Sequence, residues 1–145
     1  MTVAFRNLNV RPEDPVREWP TEAVQTALER GSLSEWRRLA DAIRADPWGH
    51  TARQAEEVLG HSRPYGVTEL LERAIDDART TAEVLERAAV AAELRELVAA
   101  SSLTQAAFAR RIGTSPSRMS SYVNGAVVPS ATLMVRARNV AGPQR

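Results

Sequence analysis

At 145 residues, 43% of them hydrophobic and 26% charged, the chain can bury one ordinary core or two small ones and has the composition of a soluble globular protein. It contains no cysteine, which excludes disulfides, thiolate zinc sites and cysteine nucleophiles; it also lacks a membrane-length apolar run and the apolar core of a signal peptide, so we expect a cytoplasmic protein. The first 100 residues carry a net charge of −5 and residues 101–145 a net charge of +6 without any acidic residue, so polyphosphate would attract the tail and repel the rest.

Residues 1–20 contain three of the eight prolines, Pro12, Pro15 and Pro20, and show little periodicity. This pattern predicts an extended arm or a loosely packed strand.

Residues 21–78 are predicted to form a small helical module for protein contact. The first helix covers residues 21–31 with Thr21 as N-cap, the second is capped by Ser34 and stops before Pro47, and the third opens at Thr51. Apolar side chains at helical spacing are expected to face inward: Val24, Ala27, Leu28, Trp36, Leu39, Ala40, Ile43, Ala52, Ala55, Val58 and Leu59.

After a loop at residues 61–66, Thr68 is predicted to cap a stretch that is helix-compatible to about Ser101. We favour a break near residues 79–81, where Thr81 could cap a new helix; one uninterrupted helix of more than thirty residues is the alternative. Two apolar stripes are expected to be buried: Val67, Leu70, Leu71, Ala74 and Ile75, and then Val84, Leu85, Ala88, Ala91, Leu94, Leu97 and Val98.

Three short helices with constrained joints are predicted in residues 103–140. Thr104 caps the first, Gly113 supplies a left-handed turn, Ser115 caps the second with Pro116 at its first position, and Ser130 caps the third. This geometry is that of a helix-turn-helix, whose second helix, residues 116–124, enters the major groove of DNA. Met119 and either Tyr122 or Val123 are expected to hold that helix to the domain.

The segment LTQAAFARRIGTSPSRMSSYVNGAVVPSATL resembles the Cro/C1-type (XRE-family) helix-turn-helix domain of phage repressors and bacterial regulators. The resemblance covers residues 86–140 and rests on residues in the family's own spacing: Leu103, Thr104, Gln105, Ala109, Ile112, Gly113, Ser115, Ser117, Met119, Ser120, Tyr122, Gly125, Pro129 and Leu133. It implies an all-α protein with a lambda-repressor-like helix-turn-helix bundle, assigned to residues 79–145.

The resemblance also implies which residues touch DNA. A glutamine at the position of Gln105 contacts phosphate in the family, and the front of the second helix reads bases. The expected DNA-binding residues are Thr104, Gln105, Arg110, Arg111, Ser115, Pro116, Ser117, Arg118, Ser121 and Asn124. Because Pro116 and Ser121 stand where many members have a long amide or an arginine, Arg118 is the leading candidate for guanine readout, and DNA shape would supply the remaining specificity.

Two further points qualify these expectations. One of Arg110 and Arg111 is expected to lie on a solvated helix face rather than on phosphate. The family's frequent Arg–Glu pair between the preceding helix and the end of the second helix is replaced by Val98 and Val123, and an apolar contact there would serve equally well.

No residue set supports catalysis, and no cofactor or metal is expected. His50 and His61 are eleven residues apart, ~16 Å on a helix, which is too far for one ion. The tryptophans are expected to close a small core, with anchoring of a protein partner as the alternative.

These patterns predict a sequence-specific DNA-binding transcriptional regulator, a repressor, which binds a palindromic operator as a homodimer. The dimer interface would lie in the N-terminal module or in the closing helix. An antitoxin with a cognate toxin partner is one form of this function. The alternative is a helical adaptor that binds protein and not DNA.

Overall fold

The computed structural model describes residues 3–143, and in this range the chain forms α-helices and no strand. It divides into two compact units, Met1–Ala82 and Glu83–Arg145. The helices are α1 Thr21–Arg30, α2 Leu33–Ala45, α3 His50–His61, α4 Thr68–Ala100, α5 Gln105–Arg111, α6 Pro116–Val123 and α7 Ala131–Ala141. The predicted all-α fold is therefore confirmed. None of the helices in the described range is long and apolar enough to cross a membrane.

In the first unit, α1 packs on α2 and α3, and the beginning of α4 completes the core. The inward faces predicted for these helices are confirmed, with Trp36 half-buried and the other residues buried. In each helix the apolar residues are three or four positions apart, and because a helix has 3.6 residues per turn they lie on one face.

The helix starts differ from prediction by one or two residues. Pro20, not Thr21, is the N-cap of α1, and Ser32, not Ser34, is the N-cap of α2. Ser32 is selected because Glu35, three residues later, folds back: its carboxylate accepts hydrogen bonds from the main-chain N–H and the hydroxyl of Ser32 at 2.8 and 2.7 Å. Both Ser32 and Ser34 are suitable N-cap residues, and the glutamate three positions after Ser32 decides between them.

Glu35 is 5% exposed, yet it remains ionised. Burial alone would raise the pKa of its carboxyl group, but the hydrogen bonds from the Ser32 hydroxyl and N–H, with smaller ones from main-chain groups of Glu35 and Val3, lower the pKa to about 2.

The sequence predicts an extended arm or a loosely packed strand at the N-terminus, and in the structure residues 3–20 pack on the first core without forming a strand. Apart from a 3-10 turn at Val16–Glu18, residues 3–20 have no regular structure, but Val16 and Trp19 are buried in the first core. The indole Nε1 of Trp19 donates to the carbonyl of Asp14 at 3.1 Å, and the ring of Phe5 meets the indole edge-on at 5.0 Å. An irregular segment can thus bury large apolar groups through contacts that periodicity does not reveal.

The three tryptophans differ in how far they are buried. Trp19 is fully buried and Trp36 is half-buried, whereas Trp48 is 45% exposed. The guanidinium of Arg79 lies 5.9 Å from the ring centre of Trp48, so this side chain is a partly covered surface aromatic.

The favoured break at residues 79–81 is wrong, because α4 is continuous from Thr68 to Ala100. Threonine lowers helix propensity only modestly, and α4 carries buried residues before and after this point. Leu71, Ile75 and Ala78 enter the first core, while Leu94 and Leu97 enter the second.

Parts of both predicted apolar stripes are also wrong. In the first stripe Leu70 is 45% exposed. Val84 and Leu85 are 62% and 65% exposed, and Ala88 is exposed as well, although Ala91, Leu94 and Leu97 are buried. Helical spacing identifies residues that share a face, but only the tertiary arrangement decides whether that face is covered.

The second unit is built around Phe108, Ile112 and Met119, which are at most 1% exposed. The end of α4 and the inner face of α7 close this core with Leu94, Leu97, Leu133, Met134 and Ala137. On α5 the buried residues are Phe108 and Ala109, and Ile112 is buried at its C-terminal end, whereas Ala107 is half-buried.

Candidate nucleic-acid interface

The first helix of the motif, α5, begins at a hydroxyl cap and ends at a glycine. The hydroxyl of Thr104 accepts a hydrogen bond from the N–H of Ala107 at 3.1 Å, as predicted. At the other end the N–H of Thr114 bonds to the carbonyl of Ala109 at 2.9 Å, and Gly113 has a φ of +82°. This is a Schellman ending, which needs a left-handed residue, and it turns the chain sharply toward α6.

The second helix, α6, has the same construction. The hydroxyl of Ser115 accepts from the N–H of Arg118 at 3.1 Å, and Pro116 occupies the first turn, where its missing N–H costs nothing. The N–H of Ala126 bonds to the carbonyl of Ser121 at 3.0 Å, and Gly125 has a φ of +79°. Two matching ends therefore fix the length and direction of this helix.

The sequence predicts that Met119 and either Tyr122 or Val123 hold α6 to the domain, and in the structure all three do. Met119 is fully buried in the second core, and Tyr122 and Val123 are half-buried against it. Val98 and Val123, which stand in place of the family's Arg–Glu pair, both pack on this core, so apolar contacts replace the ion pair. In addition, the guanidinium of Arg95 donates to the carbonyl of Val123.

The opposite face of α6 is open to solvent. Nine of the ten predicted DNA-binding residues are exposed, namely Thr104, Gln105, Arg110, Arg111, Ser115, Pro116, Ser117, Arg118 and Asn124, and Ser121 is half-buried. The first and last turns of α5 and the start, outer face and C-terminal end of α6 carry these side chains, most of which are accessible to a ligand. This surface, made by the ten residues, is the candidate nucleic-acid interface.

The hydroxyl groups of Thr104 and Ser115 can serve two partners at once. Each oxygen accepts a main-chain N–H, which leaves the hydroxyl hydrogen available to donate to a phosphate oxygen. Part of the hydrogen-bonding capacity of Asn124 is already used, because its Oδ1 accepts from the N–H of Ala126 at 2.9 Å. Its amide hydrogens can still donate.

The five arginines of α5, α6 and α7 fall into two groups. Arg110, Arg111 and Arg118 are exposed, and within residues 3–143 their side chains take part in no hydrogen bond or salt bridge. Arg136 and Arg138 of α7 are engaged with the domain itself. The Nη1 of Arg136 donates to the carbonyl of Ile112 at 3.2 Å, and the Nε of Arg138 lies 2.8 Å from the Glu93 carboxylate.

The Arg138–Glu93 pair shifts the pKa values of both side chains. The hydrogen bond from Arg138 and the attraction of its charge lower the pKa of the Glu93 carboxyl group below its usual value, although burial acts in the opposite direction. The same contact raises the pKa of Arg138. One positive charge of α7 is therefore neutralised within the unit.

Acidic residues are absent from the candidate interface. None lies in the first turn of α5, α6 or α7, and none follows residue 100 in the chain. Partial positive charge at the N-terminus of α6 adds to the charge of Arg118. A polyanion would thus meet unopposed positive charge at this surface.

Sequence reasoning missed two structural arginines. Arg95 donates a hydrogen bond to the carbonyl of Val123, 28 residues later in the chain, and Arg136 donates one to the carbonyl of Ile112, 24 residues earlier. Neither contact leaves a local signal, because no short-range spacing links the donor to its acceptor.

A family model described as a helix-turn-helix domain matches residues 89–142, which include all of α5, α6 and α7. Comparisons with curated proteins and with solved structures gave no match. This match agrees with the resemblance to the Cro/C1-type domain that the sequence shows. The hydroxyl caps, the two glycine turns and the buried Met119 agree with it as well. Residues 89–142 are therefore an XRE-like helix-turn-helix domain, the class of fold that binds DNA through its second helix.

Proposed function

We propose that this protein is a sequence-specific DNA-binding transcriptional regulator and that α6 is its recognition helix. The observation that carries the proposal is the division of α6 into two faces. Met119 is buried in the core, while Ser117 and Arg118 project from an acid-free surface. A helix held by one face and cationic on the other is suited to lie in the major groove.

The side chains of this interface would divide their roles by chemistry. Arg118 can present two donors to the O6 and N7 atoms of a guanine, which hydroxyl groups cannot do. Gln105, Thr104 and Ser115 would bind phosphate from the helix starts, and Ser117, Ser121 and Asn124 would contribute short hydrogen bonds. The side chain of Pro116 carries no hydrogen-bond donor, so it would contribute only van der Waals contact with the DNA and a fit to the shape of the groove.

Retention of the full chain on immobilised duplex DNA over a series of salt concentrations tests the proposal. Arg118→Ala should cost ~1–3 kcal/mol of binding free energy on a duplex selected from a random pool. Arg87→Ala is the matched control, since it removes the same charge from an exposed position of α4 in the same unit. It should change binding little.

Failure of the chain to bind any duplex, at low salt as well as high, would favour the adaptor that contacts protein alone. Equal losses for Arg118→Ala and Arg87→Ala would mean that only net charge matters, and it would contradict the assignment of α6 as the reading helix.

Repression would follow from occupation of a promoter by such a protein. A recognition helix covers only a few base pairs, so two copies on a palindrome are the expected binding unit. Reporter expression from a promoter that carries the selected duplex should fall when the protein is supplied, and Arg118→Ala should restore it.

An antitoxin role is a second candidate, and the first unit favours it. Trp48 is 45% exposed, and Tyr65, in the loop before α4, is fully exposed. Exposed aromatics commonly anchor protein partners. Stable co-purification with the product of an adjacent gene, lost in Trp48→Ala or Tyr65→Ala, would support a toxin partner; a lone regulator would show no such complex.

A further inference from the structure

The first unit has an open groove that is separate from the candidate nucleic-acid interface. It is lined by α3, the loop that follows α3 and the beginning of α4, and its volume is about 360 Å³. Leu59 and Ile75, each only 4% exposed, contribute the apolar side chains of its floor, and Gly60 is exposed beside them. This space is called the Gly60 groove below.

Two ion pairs join the two sides of the Gly60 groove. Arg63, in the loop after α3, lies 2.9 Å from the carboxylate of Glu72 on α4. Glu56, which lies earlier in α3, pairs with Arg79, which lies later in α4 than Glu72. The residues of the apolar floor fall between the members of these pairs in both segments of the chain, so charged groups flank the floor.

The Gly60 groove is deep because residue 60 has no side chain. Gly60 lies in the last turn of α3, and a Cβ atom on it would meet nothing within 4 Å. Its φ is not positive, so neither backbone conformation nor packing within residues 3–143 requires glycine here. A helical glycine nevertheless costs stability relative to alanine. Close approach of another molecule is a use that such a missing side chain serves.

The Gly60 groove also carries a carboxylate without a cationic partner. Three carboxylates and one guanidinium line it, and of these Asp76 takes part in no salt bridge within residues 3–143. Asp76 is exposed and follows the buried Ile75 directly. A cation held at Asp76 would therefore lie next to the apolar floor.

We propose that the Gly60 groove is the docking site of a protein partner that inserts one apolar side chain over Gly60 and places a lysine or arginine beside it at Asp76. This inference rests on the protein partner proposed for the first unit, and it names the chemistry of that partner. An apolar anchor that fills a pocket carries much of the binding energy of an interface. A neighbouring cation adds electrostatic complementarity to the unpaired carboxylate.

Other occupants fit the Gly60 groove less well. Nucleic acid would be repelled by its surplus of negative charge. A small molecule is held where a pocket covers ~70–90% of its surface, whereas Glu56, Gly60, Arg63 and Asp76 are all exposed and leave the groove open. A side chain that belongs to a protein needs no such enclosure, because the body of the partner covers the opening.

Trp48 extends the apolar area available to a partner. The guanidinium of Arg79, which pairs with Glu56 of the Gly60 groove, also donates from Nε to the carbonyl of Pro47 at 3.0 Å and lies 5.9 Å from the ring centre of Trp48. Trp48 is 45% exposed. One partner could thus contact both the groove and an exposed aromatic, which gives a larger interface than the groove alone.

Peptide selection on the full chain tests this docking. A phage-displayed library of random peptides is selected on the immobilised protein, and the most enriched peptide is synthesised with a fluorophore for binding measurements by fluorescence anisotropy. We expect the enriched peptides to carry an apolar residue with a lysine or arginine a few positions away. Enrichment of acidic peptides, or of no peptide, would overturn the proposal.

Two variants show whether the selected peptide occupies the Gly60 groove. Gly60→Leu fills it and Asp76→Asn removes its unpaired charge, so each should weaken peptide binding by ~10-fold or more. Ser34→Leu and Glu57→Gln make the same kinds of change at exposed positions outside the groove and should alter affinity by less than ~2-fold.

Stability separates loss of the site from loss of the fold. Gly60→Leu should be at least as stable to heat as the unmodified chain, because leucine is the better helix former. Unchanged affinity in Gly60→Leu, or an equal loss in Ser34→Leu, would show that the peptide binds elsewhere and would overturn the proposal.

Sedimentation of the full chain shows whether a second copy is the occupant. A dimer of the free chain that Gly60→Leu dissociates would mean that another copy fills the groove, and it would overturn the assignment to a different protein. The same sedimentation coefficient in both chains supports that assignment.

Failure of this docking and failure of the proposed function are distinguishable. If the product of an adjacent gene co-purifies and the complex survives both Gly60→Leu and Asp76→Asn, only the docking fails. If no such product co-purifies, but the selected peptide binds and Gly60→Leu weakens it, the toxin proposal fails and the docking stands. Gly60→Leu should leave duplex binding unchanged, because α6 belongs to the second unit, and a loss there at full stability would overturn the assignment of the groove to a protein partner.

Discussion

The guanidinium of Arg136 on α7 donates to the main-chain carbonyl of Ile112, the residue that ends α5. The contact lies beside Gly113, where the chain turns toward α6: a Cβ atom on Gly113 would stand 3.4 Å from Nη1 of Arg136. The closing helix thus stabilises the turn of the helix-turn-helix.

Arg136→Ala should lower the free energy of unfolding by ~1 kcal/mol, because the carbonyl of Ile112 loses its partner. Chemical denaturation of the full chain measures this. The salt dependence of DNA binding should stay as in the unmodified chain, since this guanidinium faces the domain. A reduced salt slope at unchanged stability would instead place Arg136 on phosphate.

Gly113→Ala should destabilise the protein by ~1–2 kcal/mol, because a side chain at a φ of +82° is strained whatever space surrounds it. Gly60→Ala is the control. Gly60 lies inside α3 with nothing within 4 Å of an added Cβ, so alanine there should stabilise by ~0.5–1 kcal/mol. Thermal denaturation of both variants compares the two, and the same sign of change in both would contradict this reasoning.

Ser115 lets stability and DNA binding be separated. Ser115→Ala should cost ~1 kcal/mol of stability through loss of the cap, whereas Ser115→Asp should keep the cap and most of the stability. On DNA, however, the aspartate would repel phosphate, so we expect Ser115→Asp to bind duplex more weakly than Ser115→Ala despite being more stable. Ser120→Ala, exposed on the same helix, should change neither property much. An affinity that follows stability alone would remove Ser115 from the interface.

Glu35 predicts how stability depends on pH. Its pKa is lowered to about 2 in the folded chain from an ordinary value of 4.5, so the unfolded chain binds its proton first as pH falls. The resulting stabilisation is fully present above pH 4.5 and is lost as pH falls from there toward 2; it is on the order of 3 kcal/mol. Acid titration of the unfolding free energy measures it.

Glu35→Gln should flatten that acid dependence and lower stability at neutral pH. Glu57→Gln, an exposed carboxylate on α3, is the control and should leave the titration curve in place. Identical curves for Glu35→Gln and the unmodified chain would show that the capping contact with Ser32 does not carry the dependence.

Much of the recognition region could be predicted from the sequence. Thr104, Ser115 and Ser130 cap their helices, and Gly113 and Gly125 take left-handed conformations, because caps and turns depend on residues within a few positions of one another. The burial of Met119 follows in the same way from helical spacing. Which exposed side chains touch DNA remains a prediction.

Only the tertiary structure decided which apolar faces are covered and which charges are engaged. Val84 and Leu85 have the spacing of core residues but are exposed, while Val16 and Trp19 lack periodicity and are buried. Arg138 is neutralised by a glutamate 45 residues away, and neighbouring sequence gives no sign of it. Helix starts, ends and turns follow from short-range hydrogen bonds and backbone sterics, whereas burial and ion pairing depend on segments that meet only when the chain folds.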